Sequence, residues 1–226
     1  SRDWSSDVCS SDPQDSAKFD NPDAFRTESL SIWINAIDSP FPLDKWDEGE
    51  RQIQIEDDLP TYMALDLSFN REKAYLVTAQ QLADGKISCF VHEWTGLSNI
   101  QLASEIATLA RRFRPRVLAY DPNTAGFLAP QSSRAGIAVA PTAWASTSFS
   151  IFCDQTLAAM NAGQLVHAGQ AILKEHLAAT ARRPASDGGW RIARRASTNP
   201  ISAAVALTMA VGHCTQPQAE SSIVVV

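Results

Sequence analysis

At 226 residues, 45% hydrophobic and 19% charged, the chain has room for one ordinary α/β core and some additional segment. No apolar run approaches the ~18 residues that a membrane-spanning helix needs, so none is expected. The four cysteines (Cys9, Cys89, Cys153 and Cys214) are scattered without CxxC spacing, which argues against a zinc site or a disulfide framework and suits a reducing cytoplasm.

The net charge of −6 is unevenly spread. Between Pro13 and Thr95 there are 7 Lys or Arg against 16 Asp or Glu, whereas from Gly96 to Val226 there are 11 against 6. A basic half beside an acidic one hints at a polyanion-binding face, with solvated surface charge as the plainer reading.

In chain order, residues 1–12 (SRDWSSDVCSSD) show no apolar periodicity. They read as translated adapter sequence or a disordered polar tail and are set aside from the fold. An upstream domain is then expected to be missing. Residues 13–60 read as a helix and linker. Phe25, Leu30, Ile32, Trp33 and Ile37 fall mostly at helical spacing, and DSPFPLDKWDEGE, with two prolines and five acids, reads as loop. The body of the domain is expected over 61–213, with 214–226 as a tail.

Three strand-like runs come next: TYMALDLSF (61–69), KAYLVTAQQL (73–82) and KISCFVHEW (86–94). Short turns separate them, the second containing Asp84-Gly85, a hairpin signal, so they form an antiparallel meander. The period then changes. Ile100 to Phe113 carries a helical apolar stripe that Pro115 stops. RVLAYDP (116–122) is a short buried strand, Ala125 to Ser132 a helix, and GIAVAPTA (136–143) a second short strand. Helices follow at about 148–162 and 169–183. GWRIARR (189–195) reads as a strand, and ISAAVALTMAV (201–211) as a helix apolar nearly all round and therefore buried. The order βββαβαβαα is the layout of a ribonuclease H-like mixed sheet, three antiparallel strands then parallel crossover strands, flanked by helices. In such sheets the first strand and the first crossover strand lie side by side, and their C-terminal ends face one crevice.

Two acids sit where that matters. Asp66 lies inside the apolar run Met63-Ala64-Leu65-Asp66-Leu67, and Asp121 closes Val117-Leu118-Ala119-Tyr120-Asp121. A carboxylate inside an apolar strand is costly to bury, and two converging on one crevice repel unless a cation lies between them. Carboxylates are hard ligands suited to Mg²⁺ or Mn²⁺. Two such ions about 3.5–4 Å apart can activate water and stabilise the leaving oxygen of a phosphodiester. The plainer readings are a strand-end residue facing solvent for Asp66 and the start of an Asp-Pro turn for Asp121. A sugar kinase or actin-like ATPase also carries an aspartate on its first strand, but needs a glycine-rich phosphate loop where LSFNREK stands here.

FRTESLSIWINAI followed by KWDEGE resembles the linker of phage large terminase subunits, especially those of actinobacterial phages. ALDLSFNREKAYLV and VLAYDPNTAGFLAP are similar to the family's first two acidic strands. LAAMNAGQLVHAGQAIL is similar to its helix-then-histidine segment, and GGWRIARRAST with ISAAVALTMAVG to its last strand and helix. The ordered match spans roughly 25–212. It implies the C-terminal nuclease half of a terminase, a metal-dependent endonuclease cutting concatemeric double-stranded DNA in the host bacterial cytoplasm. Partners would be the portal, the small terminase subunit and other copies within the packaging motor. The family's ATPase half precedes this region, and no GxxxxGK[ST] loop occurs here.

One position departs from the pattern. The family's third metal-binding aspartate precedes the final helix in a motif like Asp-Ile-Ser, whereas this chain has Asn199-Pro200-Ile201-Ser202. Asp187 is a nearby substitute ligand, though Ser186-Asp187-Gly188-Gly189 reads first as a turn. The expected outcome is reduced activity with a weakened second metal site; the alternative is a catalytically dead module that docks the motor on DNA or portal. A transposase or resolvase nuclease of the same fold would share the acids but not the linker. The resemblance also makes His167 a catalytic candidate, with a structural histidine in a turn as the other reading. Arg191, Arg194 and Arg195 are candidate DNA-backbone contacts on or beside the last strand, Arg191 and Arg195 sharing a face. The alternative for them is an edge strand protected by charge.

Overall fold

The computed structural model describes residues 39–185, 188–194 and 200–216. The expected helix over Phe25 to Ile37, Asp187, Arg195, Asn199 and most of the expected tail lie outside these residues.

The core is a six-stranded mixed sheet of order β5-β4-β1-β2-β3-β6. β1 (Thr61–Leu67), β2 (Lys73–Gln81) and β3 (Ile87–Thr95) form the expected antiparallel meander. The β2–β3 turn closes through Leu82 N–H donating to the Lys86 carbonyl at 2.8 Å. Gly85 sits there at φ +79°, a conformation that L side chains rarely adopt. β4 (Val117–Tyr120) runs parallel to β1, and β5 (Val139–Pro141) parallel to β4. β6 (Leu165–His167) adds in parallel to the far edge of β3. A second, two-stranded ribbon pairs β7 (Arg182–Pro184) with β8 (Trp190–Ile192). The strand expected at GWRIARR therefore exists but lies outside the main sheet. This is the ribonuclease H-like mixed sheet that the sequence order implies.

All seven residues of β1 are buried, because both faces of the sheet are covered. Met63, Leu65 and Leu67 point into one apolar layer with Leu102, Ile106 and Phe113 of α2 (Asn99–Phe113). Tyr62 and Ala64 point into the other, with α7 (Ser202–Thr215), whose side chains are buried almost all round. By this alternation Asp66 belongs to the α7 face. Side-chain periodicity thus aims a carboxylate into a layer otherwise built from apolar side chains.

The segment DSPFPLDKWDEGE is not all loop. Leu43–Glu48 forms a short helix, α1, following Pro42, which needs to donate no backbone hydrogen bond at a helix start. Phe41 and Trp46 are buried in the core on the α7 side. Density of acids and prolines misled the loop reading, since the two aromatic anchors decide the packing. Between α2 and β5 the chain makes α3 (Pro122–Ala125), a 3-10 turn (Gly126–Leu128) and α4 (Ala129–Arg134). α5 (Thr147–Asn161) matches the helix expected at 148–162; the one expected over 169–183 shortens to α6 (Ala171–Ala178) because the chain then enters β7.

Candidate active site

β1 and β4 are in parallel register with Leu65 opposite Tyr120, so the next residues, Asp66 and Asp121, come side by side at the C-terminal ends of the two strands. Both are buried, at 0% and 2% exposure. Asp121 caps α3: its Oδ1 accepts from the Asn123 N–H at 3.0 Å, so it opens an Asp-Pro turn and enters the site with its other oxygen. The Thr124 hydroxyl, one turn on, donates to Asp66 Oδ1 at 3.1 Å. The Ser202 hydroxyl at the start of α7 donates to the Leu67 carbonyl at 2.8 Å and also acts on Asp66.

The cation between the two acids is Arg194. Its Nη1 donates to Asp66 Oδ2 at 3.0 Å and its Nη2 to Asp66 Oδ1 at 2.9 Å, a fork-on-fork pair. The same Nη2 reaches Asp121 Oδ2 at 3.2 Å. The arginine side chain is 23% exposed, whereas both acids are nearly fully buried beneath its guanidinium. Burial pushes the Asp66 carboxyl above the ordinary carboxylate range; the Arg194 charge, the hydrogen bonds from Arg194 and Thr124 and the nearby Ser202 hydroxyl pull it back only in part. For Arg194, burial favours the neutral form, but the two carboxylates outweigh it and hold the guanidinium above its usual value.

Arg194 is delivered by the small ribbon. Trp190 is buried and its indole N–H donates to Asp154 Oδ1 on α5 at 2.6 Å. The Ser150 hydroxyl of α5 donates to the Trp190 carbonyl at 2.9 Å, and the Trp144 indole N–H to the Ile192 carbonyl at 2.7 Å. These bonds fasten β8 to α5 and to the segment just before it, and the chain reaches the acid pair two residues after the strand ends. Arg194, expected beside the last strand as a DNA-backbone contact, is in this structure engaged by the two carboxylates. Alternation along a strand gives a side, and β8 ends before Arg194. Arg191 is half-buried in β8 opposite Arg183.

His167 does not join the acids. It lies on β6, at the far edge of the sheet from β4, with β2 and β3 between it and β1. Three strand spacings put it about 14 Å away across the sheet. Its register partner Cys89 leads through Ala79 to Tyr62, near the opposite end of β1 from Asp66. The ring is buried against Trp46, Nε2 donates to the Trp46 carbonyl at 2.7 Å, and Nδ1 accepts from the Gly169 N–H at 3.1 Å. Burial lowers its pKa, with partial opposition from the Trp46 carbonyl, Glu50 and Asp47. Both ring nitrogens are committed to backbone, so the catalytic expectation for His167 gives way to a structural role. Its strand is too short for a periodic signal, which is why the turn reading arose.

A divalent cation asks for hard oxygen donors. Asp66 and Asp121 supply that chemistry for one ion, each with oxygens turned toward the same point. Pro200, at the position where a third acid is expected, is exposed and offers no side-chain donor. Among the described residues no group of three or more His, Cys, Asp or Glu is placed to hold a metal ion. The donors described thus suit one ion and not two. Thr124 and Ser202 are site residues that sequence reading missed. The signal for Thr124 was the Asp-Pro-Asn-Thr start of a helix, which puts Thr one turn above the capping acid.

No protein-family model matches the chain, and neither does any curated protein sequence. Solved structures do. The large terminase of bacteriophage HK97 superposes over 88% of this chain with a TM-score of 0.69 at 17% identity. The chain spans about half of that protein, 49% of its length. The large terminase nuclease of thermophilic phage G20c, solved with magnesium, is covered over 97% of its length by 78% of this chain, with a TM-score of 0.59 at 15% identity. A variant nuclease domain of the large terminase subunit of bacterial virus Sf6, solved with manganese, gives 0.60 at 10% identity over 76% of this chain and 98% of that one. The fold is therefore that of phage large terminase nuclease domains.

Proposed function

We propose that this chain is the nuclease part of a phage DNA-packaging terminase and hydrolyses phosphodiester bonds of concatemeric double-stranded DNA with a divalent cation. The observation that carries this reading is the pair Asp66 and Asp121, buried side by side at the ends of adjacent parallel strands. Mg²⁺ or Mn²⁺ held by these two acids would supply Lewis acidity for the hydrolysis. The chain's own part is to position both carboxylates through Thr124, Ser202 and the α3 cap, and to keep them out of bulk water. By the same reading it works in the host cytoplasm beside an ATPase motor, the portal, the small subunit and other copies of itself.

A second reading, a module that docks the motor on DNA or portal without cutting, is favoured by Pro200 and by the engagement of both acids with Arg194. Incubating the full chain with plasmid DNA and Mn²⁺ separates the two. Cleavage that disappears in Asp66→Asn and Asp121→Asn supports the nuclease. DNA retention without metal-dependent cutting by the wild type supports the docking module.

A further inference from the structure

All four carboxylate oxygens of the acid pair already have donors. Asp66 Oδ1 takes Thr124 and Arg194, Asp66 Oδ2 takes Arg194, Asp121 Oδ1 takes the Asn123 N–H, and Asp121 Oδ2 takes Arg194. Of these donors, only Arg194 carries a charge and comes from outside the β1–β4–α3 frame. Its side chain is also the most exposed of the three charged groups, at 23%. The backbone beneath it is fixed up to Ala193, whose N–H donates to the Ala181 carbonyl at 2.8 Å. A long side chain on such an anchor can swing from the acids to solvent by changing rotamers alone.

We propose that Arg194 is the resident cation of this site, and that a divalent metal ion and the Arg194 guanidinium occupy the space between Asp66 and Asp121 in turn, never together. The proposal rests on the metal reading above and deepens it by naming the group the ion must displace. Two buried carboxylates at this spacing need positive charge between them. A guanidinium covering three of their four oxygens both meets that need and blocks inner-sphere ligation. Apparent metal affinity is then the intrinsic affinity reduced by the fraction of molecules in which Arg194 has left. Lysine would compete less well, because an ammonium lacks the planar fork that grips Asp66 with two bonds.

The test is Mn²⁺ titration of the full chain by calorimetry, with paramagnetic resonance of the bound ion as a second readout. The wild type, Arg194→Gln, Arg194→Lys and the Asp66→Asn, Arg194→Gln double variant are compared without DNA. Arg194→Gln should bind Mn²⁺ at least about tenfold more tightly than the wild type, about 1.4 kcal/mol by that ratio. Arg194→Lys should fall between them, and the double variant should lose the gain. Mn²⁺ should also raise the melting temperature of Arg194→Gln more than that of the wild type. Equal or weaker affinity in Arg194→Gln overturns the proposal while leaving the metal reading intact. Absence of binding in both wild type and Arg194→Gln overturns the two together. If circular dichroism finds Arg194→Gln unfolded, Arg194→Lys against wild type decides by the same criterion.

Discussion

The imidazole of His167 lies flat on the indole of Trp46, with ring centroids 3.9 Å apart and planes within 4°. The same indole residue's carbonyl accepts the His167 Nε2–H. The stack joins α1 to β6, while the Arg51 N–H donates to the His167 carbonyl at 2.9 Å and the His167 N–H to the Gly49 carbonyl at 3.2 Å. Residues before the first strand are in this way tied to the outer edge of the sheet, at the side remote from the acid pair.

A stability role for His167 follows. Replacing it with Ala removes the stack, leaves the Gly169 N–H without its acceptor and opens a void beside a buried tryptophan. Together these should cost about 2–4 kcal/mol. Urea denaturation followed through tryptophan fluorescence measures it. Mn²⁺ affinity at temperatures where the variant is folded should be unchanged. A variant as stable as the wild type but deficient in DNA cleavage would restore the catalytic assignment.

The parts of this molecule that were legible in the sequence are those with local signatures. The meander announces itself by β-branched runs and Asp84-Gly85, and α7 by an apolar surface on all sides. Asp66 and Asp121 stood out because a carboxylate inside an apolar strand needs a reason. The parts that were hidden depend on distant partners. β6 is three residues long and exists because β3 offers an open edge. α1 packs through Phe41 and Trp46 within a segment whose composition reads as loop. The pairing of Arg194 with the acids was hidden because strand alternation says nothing about a residue beyond the strand end, and the docking of β8 brings it there.

Asp121 has two jobs that different substitutions separate. Asn can still accept the Asn123 N–H as a helix cap, whereas Ala cannot, so Asp121→Ala should be less stable than Asp121→Asn by about 1 kcal/mol. Both remove the charged oxygen facing Arg194 and should lose metal affinity alike. Paired thermal melts and Mn²⁺ titrations check this. Equal stability of the two variants would mean the cap contributes nothing at this turn.

Gly212 lies within α7, where alanine would ordinarily favour the helix by about 1 kcal/mol. Here a Cβ would overlap the Phe152 ring, which is 1% exposed and has nowhere to retreat. Overpacking of this kind costs about 1–3 kcal/mol. Gly212→Ala should therefore destabilise despite the better propensity, and a lowered urea midpoint is the expected result. An unchanged or raised midpoint would show that α5 can shift away from α7.

His176 on α6 should make the fold acid-sensitive. Its Nδ1 accepts the Ala203 N–H at 2.8 Å in the first turn of α7, and its ring meets Tyr75 edge-on at 4.7 Å. Burial holds its pKa down to about 4, with a minor opposing pull from Glu93 and a small contribution in the same direction from Lys73. In the unfolded chain the imidazole titrates near ~6.5. Between these values the unfolded state carries a proton that the native state does not, so stability is full above about pH 6.5 and falls as the pH drops toward 4. A gap of this size corresponds to roughly 3 kcal/mol across the window. In His176→Asn the side-chain oxygen can still accept from Ala203 but has no proton to gain. That variant should lose this part of the slope, although it is less stable at neutral pH. Urea midpoints measured at half-unit steps from pH 7.5 to 4 compare the two chains. Parallel curves would assign the acid sensitivity to His92, His167 and His213, whose pKa values burial also lowers.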